Sequence, residues 1–272
     1  MRPIILLLAA LGTTASGAEH AVLTAKPATL ELHRSLTVDA KNKGLFVGTI
    51  QLTGTPSLEV LGGDGVLVEA VDVTGASLVN PDYIFDGKHQ QVPLMTRSIG
   101  YSTPAEMARQ GDAGSHLLMY FLERGAGTVI TRLRIKATVI LGDASRRVVT
   151  IGTWPAVIGQ HPELPGAPTI SADPDGQMQI DMDLNARLAW STIWLEAAGK
   201  PVPVGGGGSQ ERGGRWSISR QGRVPDGAEV KAELTRVLGE PTIEVVVGPW
   251  SFPGNGPPPA SVSIPVEVPH AP

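Results

Sequence analysis

The sequence predicts an all-β protein built as two β-sandwich domains in tandem, and three observations lead there. Residues 135–154 read IKATVILGDASRRVVTIGTW and residues 230–250 read VKAELTRVLGEPTIEVVVGPW, so one pattern occurs twice. Each copy runs from an alternating strand through Leu-Gly-acid into a β-branched strand, and each closes on Gly-x-Trp. From Leu30 onward, short β-rich runs alternate with turn residues, which is the spacing of a sandwich. A second match, Asp72-x-x-Gly75 against Glu196-x-x-Gly199, follows the same order in both halves, as duplication of one unit requires.

Residues 1–18 have the layout of a secretory signal peptide. Arg2 supplies the charge, Ile4–Leu11 the apolar core, and Ser16 and Ala18 the small residues read by signal peptidase. The mature chain then starts at Glu19, with cleavage after Gly17 nearly as good. A membrane anchor is the competing reading, but eight apolar residues fall far short of the ~20 a spanning helix needs. No other stretch approaches that length, so the mature chain is expected to be soluble. There are no cysteines, which excludes disulfides, thiolate metal sites, a lipidated cysteine and a cysteine nucleophile. An exported chain without disulfides must hold itself by core size, which fits a periplasmic or extracellular bacterial protein.

The first domain is expected over residues 19–160. Leu45–Leu52 and Val66–Val73 read as strands, with Gly62-Gly63-Asp64-Gly65 as the turn before the second. Ser115–Glu123 is nearly continuously apolar, as a strand covered on both faces would be. Along Ile130–Leu141, Ile135, Ala137, Val139 and Leu141 alternate with Arg134, Lys136 and Thr138. Thr103-Pro104-Ala105-Glu106 is a helix start, with cap, proline and capping-box glutamate in place, and Gly111 stops it. That short helix sits in a long excursion, Asn80 to Gly114, read as a decorated connection between strands.

Three prolines in eight residues mark 161–168 (HPELPGAP) as the linker, because proline fixes φ and cannot donate to a sheet ladder. The second domain is expected over 169–253. It opens with Gln177–Leu184, whose Met178, Ile180, Met182 and Leu184 point inward, and continues through Ile193–Ala197, Arg215–Arg220, Glu229–Leu238 and Thr242–Val247. Pro225-Asp226-Gly227 supplies a turn. Residues 254–272 are Pro- and Gly-rich and read as a disordered tail. Within them Ser261–Val268 alternates, and Pro265 would confine such a strand to a sheet edge.

Residue chemistry argues against an enzyme. Loss of Arg2 with the leader takes one from the 22 basic residues, against 26 acidic ones, and no basic run offers a nucleic-acid footprint. Six histidines (His20, His33, His89, His116, His161 and His270) show no metal-ligand spacing. Ser115, His116 and Asp112 name a triad only by adjacency, and a triad is a matter of geometry between distant segments. Asp173, Asp175, Asp181 and Asp183 form an acidic cluster, but the spacing of a calcium loop is missing, so a turn and a solvent-facing strand explain them better. The Gly205–Gly208 run lacks the lysine and hydroxyl of a phosphate loop. Trp190, Trp194, Trp216 and Trp250 fall in the second domain and are the candidate ligand-binding residues, because exposed indoles would stack on sugar rings. Core positions for them are the simpler reading. No cofactor is implied.

Taken with the leader, the Asp72 and Glu196 turns, Thr131-Arg132-Leu133-Arg134 and Val224-Pro225-Asp226-Gly227, the chain resembles exported bacterial proteins with two tandem Ig-like β domains. The resemblance implies architecture and location and carries no activity. The expected function is an exported, non-catalytic structural or interaction protein of the cell envelope, with an unknown protein or glycan partner. A carbohydrate-binding protein using the second-domain tryptophans is the alternative.

Overall fold

The structure, a computed structural model, describes residues 19–33, 45–79, 84–85, 88–95, 100–101, 115–122, 129–203, 207–251 and 259–268. The leader, the Thr103–Gly111 helix and Asp112 lie outside the described residues. What is described is all-β, in several antiparallel sheets with one 3-10 turn at Asn185–Ala189. The main strands are β1 (Glu19–His33), β2 (Leu45–Gly54), β3 (Leu58–Val71), β4 (Gln91–Met95), β5 (Ser115–Leu122), β6 (Arg132–Asp143), β7 (Arg147–Thr153) and β8 (Thr169–Ala172). They continue as β9 (Met178–Asp183), β10 (Trp190–Ala197), β11 (Gly207–Arg212), β12 (Arg215–Arg220), β13 (Glu229–Leu234), β14 (Val237–Gly239), β15 (Thr242–Val247) and β16 (Val262–Val268).

The first hydrophobic core lies within a nine-stranded sheet ordered β14-β6-β3-β4-β5-β2-β1-β16, with β15 also on β6. Its ends approach one another, because β15 runs close to β16. Period-2 burial drives this: Leu133, Ile135, Ala137, Val139 and Leu141 of β6 point inward while Arg132, Arg134 and Lys136 stay outside. The second core lies between two five-stranded sheets. One is ordered β7-β13-β10 and ends on Lys200–Pro201, with Gly100–Tyr101 parallel to β10. The other runs Gly159–Gln160, β8, β9, β12, β11.

The division of the chain differs from two domains in tandem. The first core takes residues 21–141 and then residues 243–268, whereas the second takes residues 154–234. Residues 147–234 are thus an inserted body, and the chain returns to its host body afterwards. The segment 161–168 links no domains. It joins Gly159–Gln160 to β8, which pair with each other, and the His161 amide donates to the Pro168 carbonyl across its base. The repeat explains the difference. Read locally, each copy is a hairpin within one domain, but β6 pairs with β3, β14 and β15, and β7 pairs with β13. Each copy is a crossing from one body to the other. The two Leu-Gly segments end side by side, Leu141 opposite Gly239 and Gly142 opposite Val237.

Two further expectations are corrected. Residues 262–268 of the expected disordered tail form β16, paired in full register with Glu19–Ala25 and burying Ile264, Val266 and Val268. It occupies the sheet edge that Pro265 permits. The Gly62–Gly65 run is no turn, since β3 passes through it as one strand with register shifts against β6. Glycine is needed there because a Cβ on Gly63 (φ +140) would lie 2.2 Å from the Thr138 carbonyl oxygen. The Asp72 and Glu196 turns do form hairpins, with Gly75 and Gly199 at φ +80 and +72.

Candidate functional site

The tryptophans are buried. Relative exposure is 2% for Trp190, 7% for Trp194, 4% for Trp216 and 6% for Trp250, so no indole strip faces solvent. Trp190 packs in the second core and its Nε1 donates to the Pro165 carbonyl at 3.1 Å. Trp216, on β12, joins it there. Trp250 sits in the other body: it belongs to the first core, and its ring approaches Gly48. Trp154, closing the first copy of the repeat, belongs to the second core. The two Gly-x-Trp segments have therefore exchanged cores relative to the expected domains. Trp194 lies in neither core and stands opposite Lys231 in register. A sugar platform needs coplanar exposed rings, so these four residues do not form one.

The acidic cluster separates into local roles. Asp173 Oδ1 accepts from the amides of Asp175 and Gln177, closing the turn before β9. Asp181 accepts from Gln179 Nε2 at 3.0 Å and from the Ser217 hydroxyl of the neighbouring strand. Asp183 accepts from the Asn185 amide and starts the 3-10 turn. Among the described residues, no group of three or more His, Asp or Glu side chains is placed to hold a metal ion.

Ser115 and His116, neighbours on β5, cannot share a face. The Ser115 hydroxyl is buried and donates to the Val60 carbonyl at 2.9 Å, while His116 is half-buried and opposite Gln51. His161 braces its own loop, with Nε2 2.8 Å from the Val157 carbonyl and Nδ1 3.2 Å from Glu163 Oε1.

Among the described residues, a polar constellation that sequence reading missed lies where the chain crosses between bodies. Arg146 follows β6 and donates to Glu59 on host strand β3 and, through Nη1 at 3.1 Å, to Glu233 on inserted strand β13. Burial, the largest single influence, opposes its charge, yet Glu59 and Glu233 together hold the guanidinium above its ordinary pKa. Beside it, Asp143 Oδ1 accepts from the amide and hydroxyl of Ser145 at 2.8 and 2.7 Å. Arg236 lies 3.6 Å from the Asp143 carboxylate, and the Thr235 hydroxyl donates to the Asp143 carbonyl. Both carboxylate partners of Arg146 are 87 residues away, so no local pattern announces the group.

A further ion-pair group lies on the outer face of β10 and β13, where Lys231 Nζ is 3.0 Å from Glu196 and 2.9 Å from Glu229. Compared with protein-family models, curated proteins and solved structures, the chain matches none of them. Among the described residues, no helix is long and apolar enough to cross a membrane.

Proposed function

We propose that this chain is an exported, non-catalytic structural or interaction protein of the cell envelope, periplasmic or extracellular, with Ig-like β-sandwich bodies. The observation that carries this reading is the use made of its polar side chains. The serine, histidine, aspartate and arginine groups that would serve chemistry are engaged in turns, strand-to-strand hydrogen bonds and ion pairs that join elements of the fold. The leader-like residues 1–18 and the cysteine-free composition supply the export part of the proposal.

A protein partner is favoured over a glycan. The indoles are buried, whereas valines are left outside on one sheet face: Val66 (48% exposed) and Val68 (43%) on β3, and Val246 (45%) on β15. Between them run Arg134 and Lys136 of β6, opposite Val246 and Val66 respectively. Exposed apolar side chains interleaved with charge suit a protein contact better than a sugar face.

The test uses the full chain expressed with its leader. N-terminal sequencing of the mature protein is expected to begin at Glu19, and a photo-cross-linker at Val246 is expected to yield a discrete envelope-protein adduct that Val66→Asp abolishes. Recovery of an unprocessed cytoplasmic chain would overturn the export reading. Labelling of Ser115 by a fluorophosphonate probe would overturn the non-catalytic one.

A further inference from the structure

The two bodies are joined by a two-stranded ribbon. On the host side β6 pairs with β14, and on the inserted side β7 pairs with β13. Regular pairing stops between Gly142–Val237 and Arg147–Leu234, leaving four residues on one strand against two on the other. Host contacts hold one margin of this gap, where the Ala144 amide donates to the Ser57 carbonyl. Inserted-body contacts hold the other, where the Thr235 amide donates to the Ala189 carbonyl. Backbone continuity across the gap itself rests on the Asp143 amide donating to the Arg236 carbonyl at 2.9 Å and on the Thr235 hydroxyl. A two-stranded ribbon is weak by itself, although Thr235 within this one is buried.

Among the described residues, side-chain and edge contacts add to it. Arg146 ties Glu59 of the host to Glu233 of the insert. Leu188 of the 3-10 turn sits over Gly62, where an added Cβ would lie 3.3 Å from its Cδ2 and where Ile140 is also near. Gly100–Tyr101 pairs with Thr192 and Ile193 at the edge of β10. Of these, only the Arg146 group joins both bodies directly at the pivot. The charged groups around it are Glu59 from β3, Asp143 from β6, Glu233 from β13 and Arg236 from the second crossing.

We propose that Arg146 is an ionic latch across a two-stranded hinge, so that the host and inserted bodies have a closed arrangement with the latch made and a second arrangement with it broken. Opening would part Leu188 from Gly62 and Gly100–Tyr101 from the edge of β10. Screening acts on the same element, because Glu59 and Arg146 are about a third exposed at their side chains and salt reaches them.

The absence of cysteine makes the experiment direct. Cysteines placed at the exposed positions Val73 in the host and Asp226 in the insert carry spin labels, and their distance distribution is measured by pulsed electron paramagnetic resonance in the full mature chain. One narrow distribution is expected for the otherwise unaltered protein at low salt. Arg146→Met is expected to broaden it or add a second peak while circular dichroism stays that of the folded protein. Glu233→Gln and Glu59→Gln should move it the same way by less, and Arg146→Lys should restore it in part. Salt near 1 M, where the Debye length is about 3 Å, should broaden the unaltered protein and leave Arg146→Met as it was. If Arg146→Met keeps the narrow distribution, the latch is disproved, and a change seen only with Leu188→Ala would assign the junction to that leucine instead. Should Arg146→Met fail to fold, an unchanged distribution in Glu233→Gln disproves the latch equally.

Discussion

The Ser115 hydroxyl donates to the Val60 carbonyl at 2.9 Å, joining β5 to β3 from within the first body. The two strands are not hydrogen-bonded neighbours, because β4 stands between them in the sheet order. The serine that adjacency to His116 makes look like a nucleophile is a brace between these two strands. Ser115→Ala is expected to lower stability by about 1 kcal/mol, the usual net value of a buried hydrogen bond. Urea unfolding measures it, and a change well under that value would mean the bond carries nothing.

The buried indoles make a spectroscopic prediction. Emission should be blue-shifted, poorly quenched by iodide, and unchanged by a panel of polysaccharides, since all five tryptophans are under a tenth exposed. Trp190→Ala should cost about 3–5 kcal/mol, as large aromatic truncations in cores do. Trp190→Phe keeps most of the volume, loses the bond to Pro165 and should cost less.

Asp143 links the junction to pH. Its carboxyl lies below its ordinary 3.8, held there first by the Ser145 hydroxyl, then by the Ser145 amide, with Arg236 adding attraction against a raising effect of burial. A depressed carboxyl stabilises the fold fully above its unfolded pKa and loses that contribution as pH falls through the folded value. Asp143→Ala should therefore melt lower than the unaltered protein at pH 6. The two melting curves should converge as the pH drops below about 4, the unfolded range of an aspartate. A difference that stays constant to pH 2.5 would show that the carboxylate's charge is not the cause.

Residues 262–268 predict a truncation phenotype. Ending the chain at Ser261 removes Ile264, Val266 and Val268 from the first core, each worth roughly 1.5–3 kcal/mol when fully buried. It also uncovers the edge of β1, which invites association between chains. A lower melting temperature with concentration-dependent aggregation in light scattering is expected, whereas a soluble chain of unchanged stability would return the segment to the status of a tail.

Glycine positions separate two kinds of constraint. At Gly248 a Cβ would lie 2.3 Å from the Thr131 carbonyl oxygen, and backbone cannot yield as a side-chain tip can. Gly227 has φ +79 and open space around it. Gly227→Ala should cost about 1–2 kcal/mol of left-handed strain. Gly248→Ala should cost clearly more, and thermal unfolding of the pair checks the order.

Most strands were legible because burial with period 2 is local. Thr242–Val247 and Arg215–Arg220 are strands with the bounds that alternation indicates, and Asp226-Gly227 turns as its chemistry requires. Gly62–Gly65 was misread because a run of glycines looks the same whether it turns the chain or lets another strand's backbone come close. For the candidate site, alternation assigns a residue to the core or to solvent, and large aromatics favour the core. The exposed-strip alternative failed on Trp216 and Trp190, whose inward faces their own strands set.

By itself, then, the sequence determined the class, most strand positions, the turns at Asp72, Glu196 and Asp226-Gly227 and the duplicated pattern, all of which follow from interactions within a few residues. Only the tertiary structure decided which strand meets which. An alternating strand declares an inward face but not the neighbour on its edge, so β6 and β7 read as a hairpin although one pairs with β3 and the other with β13. The exchange of Trp154 and Trp250 between cores, the insertion of residues 147–234 and the meeting of Arg146 with Glu59 and Glu233 all depend on that choice of neighbour. It is made by long-range burial and backbone pairing, for which a linear chain carries no local mark.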